Sequence, residues 1–308
     1  MLSRCLILLV VTCMSAGAGP DAFPSPGDDR ANVPLTVRGK DWYAHIPPDH
    51  EGEVELRFVL PPDRLSVLPS GEAVPFVSGE NGAIRFRVAP EKRTSPETVV
   101  IAHWELAKWE DDIQTMEKNF PNVPAHPILF VGSSSIRGWK VTGDFPGLPV
   151  VNHGFGGSEY FDALSYADRI IHPLRPRAVV LYDGDNDIAR GKSPEWVAAD
   201  MKALVRVIHH ANPQTPVVVL STKTSMARWE FHEQMEQSNR LLAEFAATDP
   251  RVTFLDVNTP LLDAEGKPDE RYFLPDRLHL NHEGYVVWTN LLRPILDRIL
   301  ANPVPAAE

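Results

Sequence analysis

From residue 128 to residue 300, short β-branched apolar runs alternate with longer stretches of helical spacing, and this alternation restricts the possible folds more than any other feature of the chain. The runs cover 128–131, 149–151, 178–182, 217–220 and 252–255, and they are apolar at successive positions, not at every second one. Strands of that kind are buried on both faces. Residues 160–171, 194–210 and 229–248 have helical spacing between them, and 282–300 closes the chain as a helix. The pattern predicts an α/β class fold, a parallel sheet with helices on both faces. In such a sheet a ligand site forms beyond the carboxyl ends of the strands.

Upstream, residues 32–103 follow a different rule. Seven short segments of alternating character, such as Glu53-Val-Glu-Leu-Arg-Phe-Val-Leu60 and Ala83-Ile-Arg-Phe-Arg-Val-Ala89, are separated by Pro, Gly and Asp clusters. Period two without a helical period predicts a small all-β, sandwich-like accessory domain over 32–103. Trp109, Ile113, Met116 and Phe120 then recur at spacings of three and four, which predicts one amphipathic helix over 104–120 and starts a second domain over 104–302. Trp42, Tyr43 and Phe76 in the β domain have two readings, sugar stacking and filling of a small core, and the core is the simpler.

The first residues read as a signal peptide over 1–18: Arg4, an apolar stretch from Cys5 to Met14, and the small-residue site Ala16-Gly-Ala18. The expected product is secreted or periplasmic, beginning near Gly19, with a disordered linker over 19–31. Both cysteines, Cys5 and Cys13, fall in that leader, so the mature chain would have no disulfide, thiolate site or cysteine nucleophile. A lipid anchor on Cys13 is the weaker reading, because Val-Val-Thr before it lacks the usual small residue. Formal charge is −11 and becomes −12 without Arg4, the one charged residue of the first eighteen. With no basic stripe interleaved with aromatics, nucleic acid is not an expected partner. No segment reaches the length of a transmembrane helix.

Four short segments carry the chemistry. Strand 128–131 runs into Gly132-Ser-Ser-Ser135, which places a serine at a helix start where backbone N–H groups favour an oxyanion. Three adjacent serines leave the nucleophile open, and helix capping is the competing reading. Asp276 and His279 lie three apart before the last helix, so a carboxylate can orient an imidazole as a base. Gly154 to Gly157 follow the second strand and Asn186 the third, offering a close backbone N–H and a side-chain amide. The glycines do not complete a dinucleotide fingerprint. Asp183, Asp185 and Asp187 fail as a calcium loop, since Ile188 and Pro194 stand where the glycine and the glutamate should be. They are read as a polar loop supporting Asn186.

Taken together, these four blocks resemble the SGNH, or GDSL-like, hydrolase family over residues 128–300. Asn152-x-Gly-x-Gly-Gly157, Gly184-x-Asn186 and Asp276-x-x-His279 match its pattern, whereas Gly132-Ser-Ser-Ser135 departs from Gly-Asp-Ser-Leu at Ser133. The resemblance implies a three-layer αβα, flavodoxin-like parallel sheet. It implies Ser134 as nucleophile, His279 as base, Asp276 as its orienting acid, and an oxyanion hole from Ser134, Gly157 and Asn186. It also implies an ester substrate, acetylated carbohydrate among the candidates, and no metal or organic cofactor. The alternatives are a catalytically silent glycan- or lipid-binding protein on the same fold, and acyl transfer by the same residues.

Overall fold

The computed structural model describes residues 106–301 without a break, and before them only 12–14, 35–38, 41–46, 53–57, 64–68, 73–78, 83–88 and 98–103. The expected linker, the tail after Asn302 and most of the expected leader lie outside the described residues. Two compact units divide at Leu106 and Ala107.

In the first unit the described strands pair antiparallel. Leu35–Arg38, Asp41–Ile46, Thr98–His103 and Arg64–Leu68 form one sheet in that order, and Thr12–Met14, Glu53–Arg57, Ala83–Phe86 and Phe76–Ser78 form another. Leu65 and Val67 are buried at alternate positions, with Val74, Phe86 and Val88. Phe76 is half-buried; the side chains of Trp42 and Tyr43 lie outside the described residues.

The second unit is built on five parallel strands, β1 (Ile128–Gly132), β2 (Val150–Gly154), β3 (Ala178–Tyr182), β4 (Val217–Leu220) and β5 (Val252–Leu255), in the order β2-β1-β3-β4-β5. This is the flavodoxin-like order, whose crevice opens where the winding reverses between β1 and β3. Gly132 is in register with both Gly154 and Tyr182. Three strands therefore end at one level, and the residues that follow each of them share one edge.

The helices are α1 (Glu110–Asn119), α2 (Ser134–Arg137), α3 (Val141–Asp144), α4 (Tyr160–Ser165), α5 (Ala167–Ile170), α6 (Asp185–Ala189), α7 (Pro194–Ala211), α8 (His232–Ala246) and α9 (His282–Ala301). Ile128, Phe130, Val180, Tyr182, Val218 and Leu220 face a core shared with Tyr285, Trp288, Leu292 and Leu296 of α9. Leu129, Val131, Val179, Leu181, Val217 and Val219, which alternate with them, are equally buried, so both faces are covered, as the continuous apolar runs require.

Three helices are shorter than their spacing predicts. The 104–120 segment starts with a 3-10 turn at Leu106–Trp109, and 229–248 with one at Met226–Phe231. The 160–171 segment breaks at Tyr166, where the Ser165 hydroxyl has donated to the Phe161 carbonyl at 2.7 Å. A side chain that bonds the preceding turn competes with the backbone ladder and bends the helix.

Candidate active site

Gly132 ends β1 at φ +152°, and a Cβ there would lie 1.9 Å from the Tyr182 carbonyl oxygen. Only glycine fits that approach, which lets Ser133 N–H donate to the same oxygen at 3.2 Å. The chain then makes the single turn α2. Ser133 does not cap it through its side chain, so the capping reading fails for that serine. The expected dipole is small as well, because one turn aligns few peptide groups. Ser133 and Ser135 are 0% and 1% exposed, whereas Ser134 is half-buried, so burial selects one of the three serines. Asn152 holds the turn, its Nδ2 donating to the carbonyls of Ile136 (2.6 Å) and Trp139 (2.9 Å). From α9 the Tyr285 hydroxyl donates to the Ser135 carbonyl at 2.9 Å.

Asp276 and His279 lie in a loop pinned by the buried side chains of Phe273 and Leu280, which form a β-bridge. Leu274 N–H donates to the His279 carbonyl at 2.8 Å, and Arg277 between them adopts φ +59°. Asp276 Oδ1 accepts from the backbone N–H groups of Leu278 and His279, both at 3.0 Å. Its Oδ2 lies 2.6 Å from His279 Nδ1, and His279 Nε2 lies 2.9 Å from Ser134 Oγ. The carboxylate, imidazole and hydroxyl form one hydrogen-bonded chain. The His279 side-chain hydrogen bond, followed by the loop N–H groups, lowers Asp276 to about 2. A carboxylate that stays ionised fixes the imidazole tautomer with Nε2 free to accept the serine proton.

Beyond β2, Gly154 and Gly157 serve different purposes. A Cβ on Gly154 would strike Arg137 N at 2.2 Å, so this glycine lets β2 pack on α2. Gly157 has φ +79° and nothing within 3.5 Å of its missing side chain, which leaves the space over it open. Asn186 follows β3 on α6; its Nδ2 donates to the Ser158 carbonyl at 2.8 Å, which ties it to the residue after Gly157. Arg228 Nη2 donates to Asn186 Oδ1 at 2.8 Å. A guanidinium can only donate, so this contact fixes the amide orientation and leaves one Nδ2–H available.

The three aspartates around Asn186 are buried, and Asp185 and Asp187 lie on α6 where a polar loop was expected. Burial, then the neighbouring Asp187 and Asp185 carboxylates, pushes Asp183 well above the usual range, and the Ser158 hydroxyl donates to it at 3.3 Å. Burial also pushes Asp185 up, but Lys223 (3.1 Å) and Arg228 (3.2 Å) outweigh it and hold that group below its ordinary value. Asp187 rises to about 7, chiefly through burial, with Lys192 opposing and Glu159 and Asp200 adding to it. Lys192 lies 3.0 Å from Glu159, 3.4 Å from Asp187 and 2.7 Å from Asp200.

Residues 132–287 match the model of the GDSL-like lipase/acylhydrolase family. The chain belongs to that family. This GDSL-like chain is 28% identical to human platelet-activating factor acetylhydrolase IB subunit alpha1 over 186 residues, which are 57% of this chain and 77% of that one. It is also 28% identical to mouse membrane-associated phospholipase B1 over 192 residues, 52% of this chain but 12% of that protein. A solved Streptococcus pneumonia structure named for platelet activating factor superposes with a TM-score of 0.56 at 25% identity, over 62% of this chain and 94% of that one. A Bacteroides thetaiotaomicron GDSL-like lipase superposes at 0.51 and 17% identity, over 63% and 98%, and bears on the fold alone. Family membership makes the chain a hydrolase acting on ester bonds.

Several residues of this GDSL-like site have no motif of their own. Arg228 and Lys223 lie 42 and 38 residues from their partners Asn186 and Asp185, and nothing in their local sequence marks them. Trp109, which the helical period assigned to a core face, donates its indole N–H to the Gly156 carbonyl at 3.0 Å. A groove of about 590 Å³ lies between Met226 and Trp229 on one side and Asp263, Lys267, Glu270 and Arg277 on the other. It reaches the Asp276–His279 loop through Arg277.

Proposed function

We propose that the protein is an exported serine esterase that cleaves short-chain acyl esters through a covalent acyl-enzyme. The reading rests on the chain Asp276–His279–Ser134, at 2.6 and 2.9 Å. Ser134 Oγ attacks the ester carbonyl carbon while its proton passes to His279 Nε2. The carbonyl oxygen becomes an oxyanion within reach of backbone N–H groups of Ser134 and Gly157 and the free Nδ2–H of Asn186; each such donor is worth on the order of 10²-fold in rate. His279 returns the proton to the departing alcohol, and water then cleaves the acyl-enzyme with His279 again acting as base. Asp276 stabilises the imidazolium in both halves. The preference for a short acyl group is supported by the human relative, an acetylhydrolase by name. Acetylated carbohydrate fits an exported esterase that has a β accessory unit.

Hydrolysis of a 4-nitrophenyl acetate-to-octanoate series tests this directly. Wild type should prefer the short acyl groups, with Ser134→Ala and His279→Ala each reducing kcat by at least about 10³-fold. A fluorophosphonate probe should label wild type and not Ser134→Ala. Full turnover by Ser134→Ala would sink the reading. Export rests on Arg4, the apolar run and Ala16-Gly-Ala18. Intact mass of the exported product should begin near Gly19; retention of Met1, or a lipid on Cys13, would overturn that part.

A further inference from the structure

Gly156 and Gly157, on the loop after β2, are ringed by cations. The point where a Gly157 side chain would begin lies 3.6 Å from Arg190 Nη2 and 3.9 Å from Lys108 Nζ, and the same point on Gly156 lies 3.3 Å from Arg137 Nη1. Lys108 is exposed, and its ammonium sits 4.3 Å from the ring centre of Trp109, whose indole N–H holds the Gly156 carbonyl. Cation, ring and loop are thereby held together. Lys108 has no carboxylate partner among the described residues. The counter-charges are Glu159, which bonds Arg190 and also Lys192, and Asp112, 3.6 Å from Arg137. Glu159 is buried behind the loop, whereas the side chains of Arg190 and Arg137 remain 42% and 58% exposed. A chain of net charge −11 therefore presents a positive face where the substrate carbonyl must lie.

We propose that the preferred ester carries an anionic group, carboxylate, phosphate or sulfate, next to its scissile carbonyl, and that Lys108 and Arg190 hold it. This rests on the reading of Gly157 as an oxyanion donor. A carbonyl oxygen bound at that N–H places its neighbouring substituents in the open space over Gly157, within ion-pair reach of both cations. Each half-exposed ion pair is worth at most about a few-fold in binding, so two cations acting on one anion are needed for a clear preference, and added salt weakens both pairs.

The test compares kcat/KM within two pairs: mono-4-nitrophenyl succinate against 4-nitrophenyl butyrate, and O-acetylated methyl galacturonoside against O-acetylated methyl galactoside. At about 0.01 M salt, where screening extends over roughly 30 Å, wild type should favour the anionic member of at least one pair by about tenfold. At about 1 M salt, with screening near roughly 3 Å, that preference should fall several-fold. Lys108→Glu should lower it by about tenfold, while Lys118→Glu, the same charge change at an exposed position of α1, should not. A preference in the first pair places the anion on the acyl side, and in the second on the alcohol side. No anionic preference in either pair, or one that Lys108→Glu leaves intact, overturns the proposal. Neutral esters cleaved with full dependence on Ser134 but without that preference would defeat this inference alone; activity surviving Ser134→Ala would defeat the esterase reading beneath it.

Discussion

The Asn186 amide can present either an N–H or its oxygen, and Arg228 decides between them by donating to Oδ1. Arg228→Ala frees the amide and leaves buried Asp185 with Lys223 alone. Steady-state kinetics should show kcat down by about tenfold with KM little changed, since a loosened donor costs less than the 10²-fold of a deleted one. Arg228→Lys keeps the charge but not the fork that spans Asn186 and Asp185, so it should recover only part of that loss. An unchanged kcat would show that Ser158 is enough to orient the amide. At Asp276 the folded-state value falls from 3.8 to about 2, so its contribution to stability is complete above about pH 4 and fades as pH drops toward 2. Asp276→Asn should erase that acid sensitivity in denaturant titrations and cost about 10²-fold or more in kcat, because the imidazole loses its fixed tautomer. Asp276, His279, Gly157 and Asn186 stood out in the sequence because each sits in a short pattern tied to one reaction, whereas Ser134 was chosen among three adjacent serines only through the family resemblance. Arg228 did not stand out, since the pairing joins residues 42 apart that only the fold brings together.

At the scale of elements, strand ends set the site, and their glycines are not equivalent. Gly132→Ala places a methyl 1.9 Å from a backbone oxygen of the neighbouring strand, a clash that no rotamer relieves. Thermal unfolding should show a fall in Tm of more than about 10 °C, or no soluble protein, as expected when several kcal/mol are lost. Gly157→Ala meets only the flexible ends of Arg190 and Lys108. Its cost is the positive φ, about 1 to 2 kcal/mol, so it should fold and show its defect in turnover. Similar losses of stability in both variants would refute the distinction. The strand runs were readable because burial on both faces leaves an uninterrupted apolar signature. Helix limits were less so: the break at Tyr166 follows a serine hydroxyl that bonds its own preceding turn, a competition that periodicity does not register.

Across the whole second unit, the sheet crevice holds a buried group of carboxylates whose charge only a few cations offset. Asp187, raised to about 7, stays protonated in the folded state over a range where the unfolded chain ionises. It therefore favours folding below about pH 4, and that contribution declines as pH rises toward 7. Between pH 5 and pH 7.5, stability to denaturant should fall more steeply, or rise less, with pH in wild type than in Asp187→Asn, because the substitution removes the Asp187 contribution; an equal slope in both would place the titration elsewhere. The sequence alone determined the class of fold and the order of the four motif blocks. Hydrophobic periodicity and reaction chemistry are local properties, written within a few residues of each other. Tertiary structure decided which of three serines is least buried, how the Asn186 amide is turned, which buried acids are pushed toward their neutral form and where Lys108 and Arg190 stand over Gly157. Those outcomes depend on burial, and on Coulomb and hydrogen-bond contacts between side chains distant in sequence, which exist only after the sheet has aligned its strand ends.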